Sequence, residues 1–299
     1  MHHSIFFLLM AGTQPTIGPI ELRAQGFEDT NFIAFQKLGE KLLVVGLRDN
    51  VVALFEPDGS LAAKVENLSF PLVFGATGGE LLLVSGGRLA VYDLGLQPKE
   101  AHYPTLTFGL MKGRALGDGR FMLYTFGNGS HALTQIALEN GAWKVERELF
   151  PISFGEALAE GQPGAPKTWV TTHDETVFVW TPLVMGDTGY LVDVFEVPDS
   201  GSETQIMALR NRIDDADQFE GNWPYMISAA RFGRKFAVMT LLVNPQTSDF
   251  SSRWIDIFSE QGDFVERRAV GKTVDMKPLE GSRQAVLVDG DTMVASVLD

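Results

Sequence analysis

Along most of the chain, short apolar runs are broken by Gly, Asp, Asn and Pro. That is a pattern of strands and turns, not of long amphipathic helices. The recurring unit is two apolar strands joined by a tight turn. It appears as FIAFQKLGEKLLVVGL, LVFGATGGELLLVSG, GRALGDGRFMLYTF, TWVTTHDETVFVWT, MISAARFGRKFAVMTLL and VDMKPLEGSRQAVLVD. The turns centre near Gly39, Gly79, Gly119, Asp174, Gly233 and Gly281, at intervals of 40 to 59 residues. Such intervals lie at or somewhat above the length of a four-stranded propeller repeat.

After each pair comes a third strand, a polar turn and a fourth strand, as in VVALFEPDGSLAAKV, TQIALENGAWKVEREL and RWIDIFSEQGDFVERRAV. Gly, Asp, Asn and Pro at these turns tolerate or preset the required dihedrals. Six units of four strands predict an all-β chain folded as a six-bladed β-propeller. The sixth unit supplies only three strands before Asp299, while IGPIELRAQG near the N-terminus reads as a strand without a local partner. Exposed sheet edges are a liability that ring closure removes. The expectation is therefore that Ile20 to Ala24 completes the last blade beside Thr292 to Leu298. Residues 1–16 read as a tail or remnant signal segment, and 17–299 as the propeller domain.

Four aromatic–proline pairs, Phe70-Pro71, Tyr103-Pro104, Phe150-Pro151 and Trp223-Pro224, fall where one unit gives way to the next. Proline is confined to edges, strand starts and turns, so the aromatics are expected to pack into the seams between blades.

Composition narrows the function. A net charge of −14 argues against nucleic acid and anionic membrane surfaces, which need a surplus of Lys and Arg. The absence of cysteine excludes disulfides, thiolate metal sites and cysteine nucleophiles. Ile5 to Met10 followed by Ala11 and Gly12 has the order of an export signal, though short and without a preceding Lys or Arg. No other run approaches the ~20 apolar residues of a membrane helix. The expected state is an exported monomer, periplasmic or extracellular, without an integral membrane segment; a cytoplasmic location is the alternative.

The strand–Gly-Asp-Gly-Arg–strand pattern at Ala115 to Phe121 resembles the six-bladed bacterial propellers of the NHL-repeat and TolB-like group. Gly-His and Trp-Asp signatures of seven-bladed WD40 proteins are absent. The resemblance extends to gluconolactonase and regucalcin-like hydrolases, which hold a divalent cation such as calcium at the channel mouth. For this chain it implies a set of Asn31, Asn222 and Asp275 near the starts of inner strands. The Glu-Gly-Pro start of those enzymes is missing, and Lys112, Arg114 and Lys167 occupy comparable regions.

Loop length singles out one face. Hairpin turns between first and second, and third and fourth, strands stay short throughout. The excess lies in FPISFGEALAEGQPGAPK, PLVMGDTG, LRNRIDDADQFEGNWP and NPQTSDFSSR, all at the opposite face around blades four and five. Long loops on a rigid scaffold are usual places for function. Arg212, Asp215, Asp217, Glu220 and Trp223, with His131 on the same face, are the candidate ligand-binding residues. The acidic stretch lacks the Asp-x-Asp-x-Asp-Gly spacing of a calcium loop. His173 is placed in a tight turn on the opposite face, and no histidine pair, Ser nucleophile elbow or phosphate loop occurs. Trp169, Trp180, Phe178, Phe236 and Tyr124 read as core. The expectation is a non-enzymatic binding or protein-interaction module for a protein or small-molecule ligand, with no catalytic residue and no resident cofactor. The cation-dependent hydrolase is the alternative.

Overall fold

The computed structural model describes residues 18–298 except 78, 101–102, 107–108, 128–129, 154–168, 174–175, 185–188, 199–203 and 211–220. The described chain is almost entirely β. After β1 (Ile20–Glu21) come β2 to β5 (Ile33–Leu38, Lys41–Gly46, Val51–Phe55, Leu61–Val65) and β6 to β9 (Leu72–Thr77, Glu80–Ser85, Arg88–Asp93, Pro98–Lys99). There follow β10 to β13 (Gly109–Gly117, Arg120–Gly127, Ser130–Glu139, Ala142–Ser153) and β14 to β17 (Trp169–His173, Thr176–Val184, Tyr190–Val197, Thr204–Arg210). Last are β18 to β21 (Trp223–Phe232, Lys235–Val243, Phe250–Phe258, Phe264–Val270) and β22 to β24 (Val274–Glu280, Gln284–Asp289, Val294–Val297).

Four quartets, β6–β9, β10–β13, β14–β17 and β18–β21, form separate four-stranded antiparallel sheets. The remaining strands make one eight-stranded sheet in the order β1-β24-β23-β22-β2-β3-β4-β5. Six separate sheets are therefore not what the chain builds. The cause is local: the inner strands β2 and β22 run parallel and approach closely enough to pair, Phe35 with Leu279 and Gln36 with Glu280.

The arrangement is that of a β-propeller. Apolar clusters fill the seams between quartets successive in the chain. Leu43, Val45, Val52 and Leu54 meet Leu81, Leu83 and Tyr92 in one seam, and Phe74, Leu82 and Val91 meet Phe121, Leu123 and Ile136 in the next. The seam that closes the ring joins Val286, Val288 and Ala295 to Phe35, Leu42, Val44 and Phe55. Second strands serve two seams at once, because side chains alternate faces with a period of two. In β19, Phe236 and Val238 enter one cluster while Ala237 and Met239 enter the other. Hence these strands read as unbroken apolar runs rather than alternating ones.

The closure uses the N-terminal strand. β1 pairs antiparallel with β24, Ile20 opposite Ala295 and Glu21 opposite Val294. It is shorter than Ile20–Ala24, because Arg23–Gln25 turns into a 3-10 segment ended by Gly26 at φ 87°. Leu22 donates its N–H to the Met293 carbonyl, and Gly18 donates to the Pro57 carbonyl of the first quartet. Ile20, Leu22 and Phe27 are fully buried in the closing seam. This segment therefore touches both ends of the eight-stranded sheet.

At the hairpin-turn end of the ring, the quartets of β14, β18 and β22 are tied by hydrogen bonds. Gly281 donates to Thr172 and Gly233 to Arg283. His173, expected in a tight turn, is the last residue of β14 and is buried there. Its Nδ1 lies 2.9 Å from the Ser282 carbonyl, while Nε2 accepts the Arg231 N–H at 3.1 Å and lies 2.9 Å from Thr171 Oγ1. A backbone N–H must donate, so Nε2 is an acceptor and the proton sits on Nδ1.

Of the aromatic–proline pairs, Phe70-Pro71 links β5 to β6, but Phe70 stands 58% exposed at φ 47° instead of filling a seam. Tyr103 stacks on Trp143 at 6.1 Å, and the Pro104 carbonyl accepts the Trp143 indole N–H. Trp223-Pro224 opens β18. Phe150-Pro151 lies inside β13, not between units, where the pairing with β12 shifts register between Leu149 and Ile152. A register shift is one of the few places a strand admits proline.

Candidate central cavity

A cavity of about 870 Å³ lies along the inner strands, a size within the range of small-molecule sites. Its lining runs from Asn31 and Leu47 at the long-loop end of the ring to Gly39, Gly79 and Gly281 at the hairpin-turn end. One wall is apolar, with Phe32, Val45, Leu47, Leu72, Val73 and Leu94 from the first two quartets. The facing wall carries charge and aromatic groups, Lys112 and Arg114 on β10, Tyr124 on β11, Trp169 on β14 and Glu280 on β22.

β10 reaches this position because glycine lets it lie against β6. A Cβ at Gly113 would sit 2.5 Å from the Phe74 carbonyl oxygen, and one at Gly75 would sit 2.7 Å from the Ala115 nitrogen. Those distances exclude a side chain without backbone movement.

The polar centre of the cavity is an ion pair. Lys112 Nζ donates to a Glu280 carboxylate oxygen and, at 2.8 Å, to the Val170 carbonyl. The other Glu280 oxygen accepts the Thr172 N–H at 2.5 Å. Burial pushes the Glu280 pKa above the usual carboxylate value, against the opposing pull of Lys112 and Thr172. Burial likewise pushes Tyr124 up to about 12. Trp169 buries an indole N–H that has no acceptor among the described residues.

At the long-loop end, Arg253 holds Asp275 at 2.7 Å and the Val274 carbonyl at 3.1 Å. Lys277 stands 3.9 Å from the same carboxylate, and burial lowers its pKa, partly offset by Asp275 and Asp29. Asn31 lines the cavity, Asn222 is half-buried before β18, and Asp275 is buried and ion-paired. A cation at these three residues would have to displace Arg253. Among the described residues no three His, Asp or Glu side chains gather as a metal site.

Trp223 begins β18, half-buried and opposite Val243. His131 lies in β12 opposite Ile152. Arg212, Asp215, Asp217 and Glu220 lie outside the described residues, as do Lys167 and most of three long loops. The fourth, Asn244–Asp249, closes on itself, with Asn244 donating its N–H to the Asp249 carbonyl and its side chain accepting from Gln246 and Thr247.

Sequence reasoning assigned Trp169 and Tyr124 to the core; both pack, partly buried, against core clusters and also line the cavity. Trp180, Phe178 and Phe236 are core as expected. Glu280 was missed altogether. Its signal was a pair of charged residues, Lys277 and Glu280, in a strand that should be buried on both faces.

No protein-family model matches the chain, and no curated protein matches it. Solved structures do match. A Bacteroides fragilis protein assigned as exported superposes with a TM-score of 0.54 at 11% identity, covering 88% of this chain and 80% of its own. Hydrazine synthase of Kuenenia stuttgartiensis gives 0.52 at 11% identity over 98% and 80%. A member of the duf4221 family from Bacteroides vulgatus gives 0.52 at 8% identity over 94% of both chains. At these identities the likeness is one of fold.

Proposed function

We propose that this protein is a non-enzymatic, six-bladed propeller that binds a small molecule in its central cavity. The eight-stranded sheet is counted as two blades, β2–β5 and β22–β24 with β1, fused by the short parallel ladder. Each has its own four strands, and an apolar seam separates them as it separates the other quartets.

The observation that carries the binding reading is the cavity itself, where buried Glu280 pairs with half-buried Lys112 within a largely apolar lining. Burying two charges is costly, and such a pair is weak as a source of stability. Convergent polar groups in a large apolar pocket mark the default binding site of a fold. The long loops of the fourth and fifth blades connect strand ends that lie at the same end of the ring as Asn31 and Leu47. We assign them as the rim, with Arg212, Asp215, Asp217, Glu220 and Trp223 meeting what approaches it. The N-terminal apolar run supports export.

A thermal-shift screen of small organic molecules tests the reading when run on the wild type and on Gln36→Trp. Gln36 lines the cavity and belongs to none of the apolar clusters, so the larger ring occupies ligand space. Compounds that stabilise the wild type are expected to lose their effect in the variant. Stabilisation unchanged by the filling would refute the placement.

A further inference from the structure

We propose that the ligand of the central cavity is a small amphiphilic carboxylate, its headgroup received by Lys112 beside Arg114 and its body laid along the apolar wall. The proposal rests on reading the cavity as the ligand site and adds the chemistry.

Lys112 carries the first argument. An ammonium has three hydrogens to donate. Two are used, on Glu280 and on the Val170 carbonyl. The Lys112 side chain keeps 28% of its exposure, so the third hydrogen has room for an acceptor arriving in the cavity. A charge-assisted bond to an anion is the strongest use of it.

Charge balance carries the second. Among the described residues the lining includes three cations, Lys37, Lys112 and Arg114, and two carboxylates, Glu80 and Glu280. Glu80 is itself paired at 2.9 Å with Lys99. Among the described lining residues cations thus outnumber carboxylates three to two, in a protein whose net charge is −14. Cations gathered along one wall of a cleft attract anions and disfavour amines.

The walls decide the rest of the molecule. Phe32, Leu47, Leu72 and Val73 offer nothing to a polyanion, and the Glu280 carboxylate beside Lys112 opposes a second negative charge. One carboxylate on an apolar body fits both halves of the cavity. An aliphatic tail and a flat ring present the same chemistry to Lys112.

Isothermal titration of the full chain with octanoate, 2-naphthoate, octan-1-ol, octylamine and inorganic phosphate tests this. Octanoate or 2-naphthoate is expected to bind at least about tenfold tighter than octan-1-ol, with no measurable binding of octylamine or phosphate. The preferred carboxylate distinguishes an aliphatic from an aromatic body. Lys112→Met alone leaves Glu280 buried without its partner, so the variant to use is Lys112→Met with Glu280→Gln. It should weaken carboxylate binding about tenfold or more and leave octan-1-ol unchanged. Octan-1-ol binding as tightly as octanoate would overturn the carboxylate assignment and leave the cavity reading standing. Phosphate or octylamine binding more tightly than either carboxylate would overturn it too. No binding by any member of the series would overturn both.

Discussion

Polar contacts converge on the His173 ring from the third residue of its own strand, the β18 backbone and the turn after β22. Alanine there would leave the Arg231 N–H and the Ser282 carbonyl without this partner in a buried place. Each such loss costs about 1–3 kcal/mol. His173→Ala should therefore lower stability by about 2–6 kcal/mol in urea denaturation. A change within about 0.5 kcal/mol, the range of surface substitutions, would show that the ring ties nothing.

Glu280 gives a second prediction at this scale. Its folded-state pKa is raised above 4.5, chiefly by burial. Between 4.5 and the raised value the folded state binds more proton than the unfolded one, so stability falls as pH rises through that window. Below it the contribution is fully favourable. Glu280→Gln removes the titration. Urea midpoints measured from pH 4 upward should show the wild type losing stability relative to Glu280→Gln as pH rises. A constant difference would contradict the assignment.

Among the elements, β1, like β9 only two residues long, is the most consequential. Ile20 is 1% exposed between the first and last quartets, whereas its neighbour Glu21 faces solvent. Truncating a buried Ile costs about 2–5 kcal/mol. Ile20→Ala should show a loss of that order by calorimetry, and Glu21→Ala a change within about 0.5 kcal/mol. Equal effects would mean that β1 does not seal the ring. The contact of β6 with β10 is the other sensitive element. Gly113→Ala forces a Cβ against the Phe74 carbonyl, and overpacking of this kind costs about 1–3 kcal/mol. Thermal melting of Gly113→Ala alongside Gly79→Ser separates the two causes, since Gly79 has φ 80° but open space around its Cβ position. A loss no larger at Gly113 would mean that the two strands can separate cheaply.

Over the whole molecule, the cavity and the calcium alternative can be told apart. Asp275 is already held by Arg253 and approached by Lys277. Calcium at millimolar concentration is expected to leave the melting temperature unchanged, with or without chelator. A rise of several degrees, abolished in Asn222→Ala, would favour the cation-dependent hydrolase.

Much of this architecture was legible in the amino-acid sequence. Paired apolar runs at regular spacing, Gly and Asp at their turns, and a strand-like Ile20–Ala24 segment left without a neighbour determine an all-β ring and its clasp. Those are local signals, because turn dihedrals and the period of two are properties of a few adjacent residues. The joining of β2 to β22 was not legible, since nothing in either strand records how closely the ring brings them together. Nor was the cavity. Lys112 and Glu280 are separated by 168 positions, and Trp169 and Tyr124 carry the same alternation as core residues. Whether such a side chain faces a seam or the axis depends on how adjacent quartets are spaced around the ring. Only tertiary packing decides that spacing, so it alone set an ion pair against apolar walls inside a cavity.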